Sequence, residues 1–120
     1  MMNINKIMKE NVTINFNMDI NELNDELAID TYTIVIPTKD IREEVSIDDL
    51  NREFNLGISN VKITEEKISM DYFTCETIFI RTLKECQKDI DTMVKIISNK
   101  LDKFKINNFE LICNYYTWID

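Results

Sequence analysis

Five carboxylates, Asp19, Glu22, Asp25, Glu26 and Asp30, fall within the twelve residues DINELNDELAID, and no Lys or Arg lies among them. Carboxylates at that density can ligate a hard cation, line a solvated helix face, or present a surface to a basic partner. As a calcium loop the stretch opens with Asp19 and Asn21 and then fails. Leu23 stands where an oxygen ligand is needed, Asn24 where the sharp turn wants glycine, and Asp30 where a bidentate Glu should close the site. No metal is expected there. As a helix, the stretch has Asp19 at the N-cap and Glu22 where a capping box needs it, and Glu22, Asp25 and Glu26 share one face opposite Ile20, Leu23 and Leu27. A short acidic helix over residues 19–28 is the expectation.

The rest of the chain offers little for catalysis. It has no histidine, which removes the commonest general base, the commonest transition-metal ligand and every Ser-His or Cys-His dyad. Glu43 with Glu44 and Asp48 with Asp49 are sequence neighbours, so their side chains diverge on a helix or strand and make no acid–base pair. Cys86 lies early in a helical stretch, where a helix N-terminus can lower a thiol pKa, but it also lies on that helix's apolar stripe, which favours burial. With Cys75 and Cys113 it completes an odd, well-separated set of three thiols, read as reduced core residues. No phosphate-binding loop, dinucleotide fingerprint or cysteine-pair metal site occurs. A protein without enzymatic activity and without a cofactor is expected.

Charge is the sharper signal. Residues 10–76 hold 16 acidic against 5 basic side chains, whereas residues 77–120 hold 6 against 7, within a total net charge of −8. The stretch IREEVSIDDLNRE adds Glu43, Glu44, Asp48, Asp49 and Glu53 to the first cluster, so two elements are expected to form one extended negative surface. Such a field repels phosphate backbones and steers basic proteins. The partner expected is a basic protein, a nuclease or nucleic-acid-binding complex, with no direct contact to nucleic acid. Near the end of the chain, strand alternation puts Phe109, Leu111, Cys113, Tyr115 and Ile119 on one side and Ile112, Tyr116 and Trp118 on the other. If the first set is core, Tyr116 and Trp118 lie on an open sheet face as aromatic anchors of an interface.

The elements that must carry these residues follow from periodicity. NVTINFNM alternates at period two and predicts a strand with one wet face. TYTIVIPT predicts a second strand, which Pro37 stops. Ser46 caps a helix carrying Ile47, Leu50 and Phe54, and Gly57, the sole glycine, falls where a left-handed C-terminal residue is wanted. Residues 61–81 predict two or three strands joined by tight turns. Thr82 and Glu85 open a long helix with Leu83, Cys86, Ile90, Met93, Val94, Ile97, Leu101 and Phe104 at 3-4 spacing, and FELICNYYTWI closes the chain as a strand.

From residue 31 the order strand, helix, strand, strand, helix, strand predicts an α+β, two-layer domain with a ferredoxin-like βαββαβ core, to which the first strand and acidic helix are additions. All 120 residues are expected in one domain, with an apolar content of 44% sufficient for one core. The first nine residues lack an export-type apolar run, so a cytoplasmic protein of a bacterial host is expected. Twenty Ile and fourteen Asn fit an AT-rich coding sequence, from such a bacterium, a phage or a plasmid. These features together predict a protein that works by binding, as inhibitors of nucleases or of bacterial defence complexes (anti-CRISPR-type proteins) and nuclease immunity proteins do. The alternatives are a structural or assembly subunit that self-associates through its open sheet face and, more remotely, a small cysteine-dependent enzyme.

Overall fold

A computed structural model of the protein describes residues 6–9, 12–16, 27–41, 46–80 and 83–117. These residues form six strands and two helices in chain order. The strands are β1 (Lys6–Lys9), β2 (Val12–Asn15), β3 (Leu27–Pro37), β4 (Ile58–Ile63), β5 (Lys67–Ile80) and β6 (Phe109–Thr117); α1 (Ile47–Glu53) follows β3 and α2 (Leu83–Asp102) follows β5. One sheet holds all six strands in the order β1-β2-β6-β3-β5-β4. Every neighbouring pair is antiparallel except β2 and β6, which run parallel with Val12 opposite Phe109. The α+β class and a mixed sheet with two helices are therefore established.

Alternation along the strands builds the core. Tyr32, Ile34 and Ile36 of β3 are buried, and so are Met70 and Tyr72 of β5, Leu111 and Cys113 of β6, and Val12 and Ile14 of β2. Leu50 from α1 and Phe54 at its C-cap, with Ile90, Met93, Val94, Ile97 and Leu101 from α2, complete the same cluster, so both helices cover one face of the sheet. Full burial of an aliphatic side chain of this size contributes about 2 kcal/mol before conformational entropy is subtracted. The residues between, such as Thr31, Thr33 and Val35, stay half-exposed on the opposite face, uncovered in the sense that neither α1 nor α2 covers it. Register shifts between Ile29 and Thr31 mark an irregularity at Asp30, and it lets Ile29 join the buried face despite its odd spacing from Tyr32.

The helices join the sheet through specific local chemistry. The Ser46 hydroxyl accepts a hydrogen bond from the Asp49 amide at 3.3 Å, satisfying one of the orphan donors at the start of α1. At the other end of α1 the Lys100 ammonium of α2 donates to the Glu53 carbonyl at 2.8 Å and lies 5.7 Å from the Phe54 ring centroid. Phe54 in turn meets Tyr72 edge to face, with ring centroids 4.8 Å apart. This chain of contacts fixes α1, α2 and β5 relative to one another.

Several expectations need correction. The acidic helix expected over residues 19–28 cannot reach its last apolar position, because Leu27 and Ala28 open β3; residues 17–26 lie outside the described ones. β1 is an additional strand that its four residues, KIMK, did not signal. The left-handed residues after α1 are Asn55 and Leu56, with φ of 54° and 64°, and not Gly57. Gly57 serves another purpose: a Cβ there would lie 2.7 Å from the Phe73 carbonyl oxygen, so close backbone approach demands glycine. Thr82, half of the expected capping box, lies outside the described residues.

Candidate binding surface

The uncovered sheet face is a grid whose rows follow from strand register. One row runs Thr13, Glu110, Val35, Ser69 across β2, β6, β3 and β5, and the next runs Asn15, Ile112, Thr33, Asp71. Asn114, Thr31 and Phe73 form a third. A line of hydrogen bonds crosses the face: the Asn114 amide donates to the Thr33 hydroxyl at 3.0 Å, that hydroxyl donates to Asp71 at 2.8 Å, and the other oxygen of Asp71 accepts from the Asn60 amide at 2.9 Å. Asn60 has φ of 52° and sits where the pairing of β4 with β5 shifts register, so its side chain ties the irregular edge of the sheet to the centre. Both Asp71 oxygens are thereby occupied.

The expected contact residues separate by location. Asp48 and Asp49 stand exposed in the first turn of α1, with Arg52 3.6 Å from Asp49. Glu53 is half-buried and engaged with Lys103 at 2.7 Å, which removes it from any free acidic surface. Asp30 and Tyr116 lie on β3 and β6, with Tyr116 opposite Ala28 in register, and their side chains are outside the described ones. Asp19, Glu22, Asp25, Glu26, Glu43, Glu44 and Trp118 are likewise outside the described residues. Cys113 is buried in the core as expected of a structural thiol.

The anchors of the two acidic stretches lie far apart. The chain leaves β2 at Phe16 and re-enters the sheet at Leu27, which is opposite Thr117 of β6, so residues 17–26 are tethered at the end of the sheet where β6 finishes. Ile41 and Ser46, which bracket residues 42–45, follow Pro37 at the opposite end of β3. Eleven residues of strand at about 3.3 Å each separate the two ends by roughly 30 Å. The described residues that bracket the two stretches thus lie at opposite ends of β3, the second pair at the end where Glu65 and Glu66 turn β4 into β5.

The polar row through Asn60 and Asp71 was not foreseen. Strand parity would have placed Thr33 with Asp71 once the register was known, but the irregularity at Asn60 left no sequence signal. Among the described residues no group of acidic or cysteine side chains is arranged to hold a metal ion, and no helix is long and apolar enough to cross a membrane. No protein-family model, curated protein or solved structure matches the chain.

Proposed function

We propose that this chain is a non-enzymatic binding protein that inhibits a basic, nucleic-acid-handling partner, such as a nuclease or a bacterial defence complex, by occupying the groove where phosphates would lie. The observation that carries this reading is the concentration of charge along the chain: residues 10–76 hold 16 acidic against 5 basic side chains, and Asp48 and Asp49 among them stand exposed in α1. So many carboxylates steer a basic partner and compete with phosphate for its cationic groove. We read the β3-α1-β4-β5-α2-β6 portion as a ferredoxin-like core. Its strand order β6-β3-β5-β4, with all neighbours antiparallel, supports that reading, and β1 and β2 extend it beyond β6. Fold alone implies no function.

The test is the triple reversal Glu22→Lys, Asp25→Lys, Glu26→Lys. Binding to a basic partner recovered from lysate on a salt gradient should weaken and lose most of its salt dependence, with the circular dichroism spectrum unchanged. Unchanged affinity would sink the reading. Self-assembly is the competing reading, favoured by one observation: β4 is an edge strand whose Ile63 is 63% exposed. Sedimentation across a hundredfold concentration range distinguishes them, since an assembly subunit gains mass and an inhibitor alone does not.

A further inference from the structure

We infer that a cavity at the Pro37 end of the uncovered sheet face receives the guanidinium of an arginine side chain from the basic partner, an inference that rests on the binding reading above. The cavity has a volume of about 390 Å³, within the size range of ligand-binding clefts. Its position follows from register: Thr13, Glu110 and Val35 lie side by side on three adjacent strands, and Pro37 and Lys67 form the next row outward. Glu66, Asn108 and Phe109 complete the lining.

Chemistry selects the occupant. Two carboxylates, Glu66 and Glu110, line the space against one ammonium, Lys67, so an anion would meet net repulsion and a cation net attraction. Neither carboxylate has an ion-pair partner among the described residues. Glu110 is half-buried, where a charge is less screened than at the surface, while Glu66 and Lys67 are exposed at the rim. Val35 and Pro37 add apolar lining. A planar, weakly hydrated group with forked donors suits such a lining better than a compact, strongly hydrated ammonium, which favours arginine over lysine.

The experiment is a titration of the isotopically labelled full chain with hexa-arginine and hexalysine peptides at low salt, followed by amide chemical shifts. The inference expects hexa-arginine to bind more tightly than hexalysine and to shift the amides of Thr13, Val35, Asn108 and Glu110. Glu110→Gln should lower hexa-arginine affinity roughly tenfold, the loss typical of removing one charge-assisted hydrogen bond. Val35→Phe, which fills the cavity floor without touching charge, should lower it too, and well-dispersed spectra of both variants establish that they remain folded. Wild-type affinity in both variants overturns the cavity. If the triple reversal at Glu22, Asp25 and Glu26 then abolishes peptide binding, the wider binding reading stands and this site alone falls. If neither peptide binds the wild-type protein, both fall together.

Discussion

Gly57 is the clearest instance of a residue chosen for what it lacks. The chain leaves α1 through two consecutive left-handed residues, Asn55 and Leu56, and must then pass close beneath β5 so that the Gly57 carbonyl can accept from the Phe73 amide at 3.0 Å. Left-handed backbone costs an ordinary side chain about 1 kcal/mol, and it is tolerated here because the Leu56 amide still bonds the Asn51 carbonyl at 2.7 Å. A methyl group at Gly57 would approach the Phe73 carbonyl to 2.7 Å and the Phe54 carbonyl to 3.2 Å. Both obstacles are backbone, so neither can rotate away. Gly57→Ala is therefore expected to destabilise the protein by about 2 kcal/mol, the scale of overpacking in a tight site, measured as a lowered urea midpoint. A midpoint equal to wild type would mean that the close approach relaxes without cost. A glycine after a helix is normally read as its left-handed terminator, and here that reading fails because the φ rotation has already been made by its two predecessors.

At the level of elements, what was legible in the sequence is what repeats. The 3-4 spacing in α2 identified Ile90, Met93, Val94, Ile97 and Leu101, all of them buried, and strand alternation did the same for Val12, Ile14, Phe16, Phe109, Leu111 and Cys113. Ser46 acted as the predicted cap because its role depends only on residues three positions away. What was not legible depends on partners distant in the chain. Leu27 matched an amphipathic helix by spacing, yet it pairs with Ile80 and Thr117, contacts that no local window contains. The row from Asn60 through Asp71 and Thr33 to Asn114 is of the same kind, and it makes a prediction. Thr33→Val keeps the shape and removes the central hydroxyl, leaving Asp71 and Asn114 each short of one partner. The expected cost is about 1 kcal/mol because the groups are only part-buried and water can replace the lost bonds. Amide exchange should accelerate in β4 around Asn60 more than in β6, since β4 has only one neighbouring strand. Equal acceleration in both strands would show that the row does not tie down the edge.

For the whole molecule, the decisive arrangement is the pairing of an early strand with the last one. β2 and β6, with Val12 opposite Phe109 at one end of the pairing and Asn15 opposite Ile112 at the other, run parallel between β1 and β3 in the sheet's order. That pairing has a mechanical meaning. When the two termini are pulled apart, β1 is loaded at Lys6, which faces Asn15 at the open end of its hairpin, so its hydrogen bonds break one after another. Once β1 has peeled away, tension reaches β2 at Val12 and β6 at its far end, and two parallel strands pulled from opposite ends must slide along each other with all their hydrogen bonds loaded together. Extension in an optical trap should therefore show a weak early step followed by a rupture at markedly higher force. A partner that drags on this chain from either terminus would meet a protein that yields slightly and then holds.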